Sequence, residues 1–393
     1  MADLKVSQLA DIGTPVENED YILVLDVSAS DLARALISQI KAPDDDFYNN
    51  VAEVSEVQDA DYIMVYDVSA GAYRKAALSV FTADPPEAFY GYFWGGYSTG
   101  GSLAVTDKFG FVAETAEAKG NISIARRGCH AICYADGQIG YIGGGLTSGS
   151  ALSVTKTVDK YNFGSDTSAA SDAAALLKVR AHQSKGGDGS EKALWLGGWD
   201  GGFYLTEAES LDMQTDATAL SAGAELTVAR GGMASLTDLN DTEIFSFGGI
   251  NSSPTYFANA DKTDLTTETT GAAGGAFLTS ARNKPVGVGN GDTKGFILAG
   301  TLSSGSESDI VDTMTFATEL VAVSTGTVNT ARRGSASATQ GGTCGYISSG
   351  YDGSNYIADT EKITYTTEVV SAVATGDLTA TREELAGNST LAY

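Results

Sequence analysis

The 393-residue chain is rich in glycine (47), poor in proline (6) and strongly acidic, with 50 Asp and Glu against 24 Lys and Arg and a formal net charge of −26. This charge repels phosphate backbones and anionic lipid headgroups, so we expect no nucleic-acid partner. No run of about 20 apolar residues could cross a bilayer, and no secretory signal opens the chain. We therefore expect synthesis in a cytoplasm, no membrane insertion and a turn-rich, all-β fold.

The N-terminal part contains a duplicated module. Residues 20–29 (DYILVLDVSA) match residues 61–70 (DYIMVYDVSA), and each copy predicts an apolar strand, a turn and a second strand. We place copy 1 at 1–41, copy 2 at 42–82 and a linker at 83–88. Modules this small bury little apolar surface alone, so we expect them to assemble into a homo-oligomer, such as a trimer.

A longer repeat fills residues 89–393. An arginine recurs at intervals of 50 to 54 residues, at Arg126, Arg180, Arg230, Arg282, Arg332 and Arg382. After each of the first five comes a short apolar strand that ends in small residues, such as 194–198 (LWLGG), then a polar hairpin tip and an alternating strand. With the strands near each arginine, the pattern predicts four antiparallel strands per repeat.

Four strands in about 50 residues is the size of a kelch-like β-propeller blade. The first repeat, near residue 89, lacks an opening strand, whereas Arg382 is followed by an opening strand and nothing more. We therefore predict a six-bladed β-propeller over 89–393, in which the C-terminal strand completes the first blade and closes the ring. The glycine pairs are interpreted as close packing of strands around a narrow axis.

Two sets of residues are candidates for binding. Aromatic side chains lie around the hairpin that follows each small pair, at Tyr97, Trp199, Tyr204, Tyr256, Tyr351 and Tyr356. Aromatic platforms with polar neighbours suit sugar rings and protein hot spots, although such rings could also pack on the next blade. The six repeat arginines could pair with carbonyls or acids between blades, or form a ligand-binding ring at the channel mouth. We expect no metal site and no cofactor.

Two parts of the chain resemble known families. The duplicated module, with its Asp-Tyr strand, Asp-Val-Ser-Ala turn and a tag such as Val6-Ser7-Gln8-Leu9, is similar to N-terminal segments of bacteriophage tail-fibre and other virion proteins. The repeats, with GYIGGG, TVDKYNF and ARRG, resemble kelch-like repeats of environmental and cyanobacterial phage proteins. The resemblance implies that the N-terminal part anchors to other proteins of the virion while the propeller is displayed.

Three functions follow from these observations. The first is a tail-fibre or tail-associated virion protein whose propeller binds a host-cell-surface glycan or protein during adsorption. The second is a structural virion component, such as a capsid decoration, neck or fibre protein, without receptor binding. The third is a polysaccharide-degrading enzyme, which we do not expect, because the acids occupy no catalytic motif and His130 and His182 are the only histidines.

Overall fold

The structure is a computed structural model that describes residues 21–24, 62–67, 72–77, 90–133, 138–147, 153–187, 191–238 and 242–390. The chain divides into two compact units, Met1–Glu87 and Ala88–Tyr393. None of the helices found in these ranges is long and apolar enough to cross a membrane.

The first unit contains one antiparallel sheet with the strand order β1 (Tyr21–Val24), β2 (Tyr62–Asp67) and β3 (Ala72–Ala77). Strands β2 and β3 form the hairpin expected of the second copy. Strand β1 belongs to the first copy and pairs with β2, with Tyr21 opposite Tyr66. The two copies thus share a sheet. The second strand predicted for copy 1 and the 41/42 and 82/83 boundaries lie outside the described residues.

The second unit is a six-bladed β-propeller, and each blade is a four-stranded antiparallel sheet. From the inner to the outer strand, the blades are as follows: blade 1, Ala386–Ser389, Tyr90–Trp94, Thr106–Gly110 and Thr115–Lys119; blade 2, His130–Cys133, Ile139–Gly143, Val158–Asn162 and Thr167–Ala170; blade 3, Ser184–Gly187, Lys192–Trp199, Tyr204–Asp212 and Ala217–Ser221; blade 4, Ala234–Asp238, Glu243–Phe247, Asn259–Asp264 and Thr269–Phe277; blade 5, Val286–Gly289, Lys294–Leu298, Val311–Thr315 and Leu320–Val323; blade 6, Ala336–Gln340, Cys344–Tyr351, Tyr356–Thr364 and Val369–Ala372. Small additions are the strand pairs Tyr97–Ser98 with Gly101–Ser102 and Arg282–Asn283 with Thr301–Leu302, and a 3₁₀ turn at Phe316–Thr318.

Ring closure occurs in blade 1, as the sequence predicts. The strand Ala386–Ser389 pairs antiparallel with Tyr90–Trp94, with Ala386 opposite Trp94. Each inner strand also contacts the inner strands of both neighbouring blades, so the six form a closed cycle. One apolar cluster fills each interface between neighbouring blades; between blades 2 and 3, for example, Tyr141 and Ile132 pack with Trp195 and Met213.

A ring of backbone hydrogen bonds closes the upper end of the channel. Its members are the residues two positions after each repeat arginine: Gly128, His182, Gly232, Lys284, Gly334 and Glu384. All six have φ between 52° and 71°. Each N–H donates to the carbonyl of the ring member in the preceding blade, with N···O distances of 2.7–3.2 Å. We call these six residues the mouth ring. The left-handed backbone conformation that they share turns every chain segment towards its neighbour.

The pairs of small residues are required for a different physical reason from the predicted close packing around the axis. They lie at the end of the second strand, and a Cβ on Gly144 would come within 2.3 Å of the Arg180 carbonyl oxygen in the next blade. Both members have positive φ, and Ala299 and Ser349 adopt the same conformation, at 62° and 63°. Contact with the next blade, rather than crowding at the axis, therefore selects small residues here.

Candidate functional site

The six repeat arginines are fully buried and are bound within their own blades. Each guanidinium forms an ion pair with an acid on the third strand, and both side chains are 0–2% exposed. The pairs are Arg126–Asp159 (2.6 Å), Arg180–Glu209 (2.5 Å), Arg230–Asp261 (3.2 Å), Arg282–Asp312 (2.5 Å), Arg332–Glu361 and Arg382–Asp107 (2.7 Å). A guanidinium buried in this way cannot contact a ligand at the channel mouth.

The same groups tie each blade to the one before it. In blade 3, Glu209 also accepts hydrogen bonds from the backbone N–H groups of Leu177 and Lys178, in the loop that leads to Arg180. The Arg180 carbonyl accepts the N–H of Gly145 in blade 2, at 2.7 Å. The sequence analysis singles out the arginine but not this acid, although a period of about 50 residues in the third strands marks the acid as clearly.

The candidate site lies on the face that we call the upper face. It consists of the hairpins between second and third strands together with the arginine loops. The two sets adjoin through single backbone bridges between a hairpin residue and the residue after a repeat arginine. Arg333 bridges Tyr351 in this way, and Glu383 bridges Tyr97. Aromatic and charged side chains from different blades therefore meet on this face.

Three of the six predicted aromatic residues form one group, the tyrosine cluster of Tyr97, Tyr351 and Tyr356. The ring centroids of Tyr356 lie 5.7 Å from Tyr97 and 5.3 Å from Tyr351. All three side chains are half-buried, and no described residue forms a hydrogen bond with their hydroxyl groups. The cluster spans blades 6 and 1, so it exists because the ring closes there.

Two arginines cover the edges of the tyrosine cluster. The guanidinium of Arg127 lies 4.2 Å from the ring centroid of Tyr97, and that of Arg333 lies 4.6 Å from the ring centroid of Tyr351. Arg333 is fixed by Glu307 and Glu383, each at 2.9 Å. Arg127 Nε lies 3.5 Å from Glu384 Oε2, whereas the two terminal nitrogens of Arg127 have no acceptor among the described residues and are donors available to a ligand.

The other three aromatic candidates lie on the opposite side of the upper face, in blades 3 and 4. Trp199 is paired with Tyr204 across the blade 3 hairpin. The ring of Tyr204 packs against Gly231, where a Cβ would lie 3.3 Å from it. Burial raises the pKa of Tyr204, and nearby Tyr256 raises it further. No ring contact joins these side chains to the tyrosine cluster within the described ranges.

Three charged or titratable side chains project from the mouth ring. His182, Lys284 and Glu384 alternate around it with glycines. Lys284 donates to Glu384, and His182 Nε2 lies 3.8 Å from the second carboxylate oxygen. Burial alone would raise the pKa of Glu384, but Lys284, His182 and Arg127 together lower it to about 2. Burial lowers the pKa of His182 to about 4, so it is neutral at pH 7.

The alternation of glycine with His182, Lys284 and Glu384 can be read in the sequence, two positions after each repeat arginine. Only the structure shows that these residues form one ring.

Across the part of the chain that the structure describes, no group of three or more His, Cys, Asp or Glu side chains is arranged to hold a metal ion. The sequence matches no protein-family model and no curated protein.

Proposed function

We propose that this chain is a phage virion protein whose propeller binds a host-surface glycan through the tyrosine cluster and Arg127, and whose N-terminal module anchors it to other virion proteins. The observation that carries the proposal is the cluster itself, with Arg127 over Tyr97. The virion setting is supported by the resemblance of the duplicated module and the repeats to phage proteins.

The chemistry of the cluster fits a saccharide. Half-exposed tyrosine rings stack against the C–H faces of sugars, and their free hydroxyl groups can exchange water for sugar hydroxyls. The fork of a guanidinium binds a carboxylate in two parallel hydrogen bonds. Because Arg127 has two unused terminal nitrogens, we expect acidic glycans to bind more tightly than neutral ones.

Binding is favoured over hydrolysis by the state of the acids on this face. Two carboxylates near the cluster, those of Glu307 and Glu383, are only 5% and 4% exposed, and the carboxylate of Asp352, after Tyr351, accepts the backbone N–H groups of Ser354 and Asn355. Glu307 and Glu383 are bound to Arg333, and Glu384 is bound to Lys284. A general acid or nucleophile must reach the glycosidic bond, and these carboxylates face arginine and lysine instead.

The test is binding of the purified full chain to host cells and to their isolated surface polysaccharide. Tyr356→Ala should weaken binding by about tenfold or more, as expected for a central aromatic contact. Tyr256→Ala is the matched control, since it occupies the equivalent hairpin position in blade 4 without a ring contact to the cluster, and it should change binding by less than about twofold.

Two results would contradict the proposal. Equal effects of Tyr356→Ala and Tyr256→Ala would remove the cluster as the binding site. A chain that binds no host cell, and whose upper face is covered by other proteins in intact particles, would favour the structural virion component. Release of reducing sugar from host polysaccharide would favour the enzyme.

A further inference from the structure

A lysine lies in the central channel below the mouth ring. The channel wall at this level is built from the residues five positions after each repeat arginine: Ala131, Lys185, Ser235, Gly287, Ser337 and Gly387. Lys185 is the one long side chain among them. Its Nζ donates to the carbonyl oxygen of Gly387 at 3.1 Å, so the side chain extends from blade 3 to blade 1 past the inner strand of blade 2.

The ammonium group of Lys185 has no counter-ion in the described parts of the chain. No Asp or Glu there lies within 4.0 Å of its Nζ, although most other lysines of the propeller are in ion pairs. Gly387 O takes one of its three N–H donors, and two are left. The side chain is half-buried, and a charge that is partly withdrawn from water without a partner costs free energy.

Neighbouring polar groups point to the missing partner. His130, on the inner strand of blade 2, has a buried Nδ1 without a hydrogen-bond partner. Asn388, on the inner strand of blade 1, uses its Nδ2 to donate to Ala131 O at 3.2 Å and has a second amide N–H. Burial lowers the pKa of Lys185 to about 8, which leaves the ammonium form in excess at pH 7. Lys185 and Asn388 therefore each keep an N–H donor that no described residue accepts.

We propose that the central channel contains a binding site for a small monovalent anion of the halide class, with Lys185 Nζ as its main ligand and the second amide N–H of Asn388 beside it. The anion neutralises Lys185, satisfies the remaining N–H donors and links the inner strands of blades 1 and 3. Its function is to stabilise the closed ring. The site is separate from the tyrosine cluster, so it stands whether or not the upper face binds a glycan.

Bromide is the probe for this site, because its anomalous scattering locates it directly. Crystals of the full chain grown in sodium bromide should show one anomalous peak within hydrogen-bond distance of Lys185 Nζ. The melting temperature should be roughly 2–4 °C higher in sodium bromide or chloride than in sodium gluconate at equal ionic strength, since gluconate is a much larger anion than a halide.

Lys185→Met should abolish both the peak and the difference between the salts, while Lys178→Met, at an exposed lysine, should keep both. If Lys185→Met does not fold, Lys185→Gln serves as the second variant and should show a weaker salt effect. The proposal is overturned if wild-type crystals show no bromide at Lys185, if the peak persists in Lys185→Met, or if the wild-type melting temperature is the same in gluconate and bromide.

Discussion

Replacing Arg282 with methionine tests whether the buried arginine–acid pairs stabilise the blades. Arg282 donates to Ile310 O at 2.9 Å and to Asp312 Oδ2 at 2.5 Å, and both charged side chains are fully buried. Methionine fills much of the same space but supplies no charge. Asp312 is then left as a buried carboxylate whose remaining hydrogen bonds come from Thr279, the closer from its hydroxyl at 2.6 Å.

The loss of stability depends on the buried carboxylate of Asp312 that Arg282→Met leaves without its partner. Removing one partner of a buried ion pair costs about 3–5 kcal/mol, because the other charge stays buried. The Thr279 hydrogen bonds reduce this cost, whereas the loss of the donor to Ile310 O adds about 1 kcal/mol. We therefore expect Arg282→Met to lower the free energy of unfolding by about 4 kcal/mol. The double variant Arg282→Met/Asp312→Leu removes both charges and should lose about 1–2 kcal/mol.

Urea unfolding followed by far-UV circular dichroism measures these free energies. The control is Lys178→Met, which breaks an ion pair with Glu207 whose side chains are 45% and 31% exposed, and which should cost less than about 1 kcal/mol. The reasoning is refuted if Arg282→Met costs no more than this control. It is also refuted if the double variant loses as much as Arg282→Met and the single variant Asp312→Leu together, because the charges would then act independently.

Three further predictions concern the ring and the upper face. Burial lowers the pKa of His182 from 6.5 to about 4, so the unfolded chain takes up a proton before the folded chain does as pH falls. The contribution of His182 to the free energy of unfolding is therefore full above pH 6.5 and is lost as pH falls to 4. His182→Gln should flatten this part of a melting-temperature profile. Gly387→Val should destabilise ring closure strongly, since a Cβ there would lie 2.5 Å from Ser337 O, and a variant with the wild-type melting temperature would contradict this. Arg127→Lys should weaken binding of acidic polysaccharide at least threefold relative to its carboxyl-reduced form, and an equal loss for both would show that Arg127 does not contact a carboxylate.

The sequence determines the number and closure of the blades. The spacing of the repeats can be read directly along the chain. The opening strand at residues 386–389 has no partner in its own repeat, and pairing it with the strand near Tyr90 covers the exposed edges of both strands. Strand alternation and turn residues likewise depend on neighbours in the sequence. For this reason the six blades and the pairing in blade 1 could be predicted from residue types and spacing alone.

The tertiary structure decides which residues form a site. Tyr97 and Tyr356 are far apart in the sequence and meet only because ring closure places blade 6 beside blade 1. The third-strand acid beside each repeat arginine is likewise contributed by a different strand, so the sequence indicates the arginine without its partner. The repeat period predicts the scaffold because the same strand pattern recurs in every blade. The site depends on residues that differ between blades, and only the tertiary structure shows which of these residues lie next to each other.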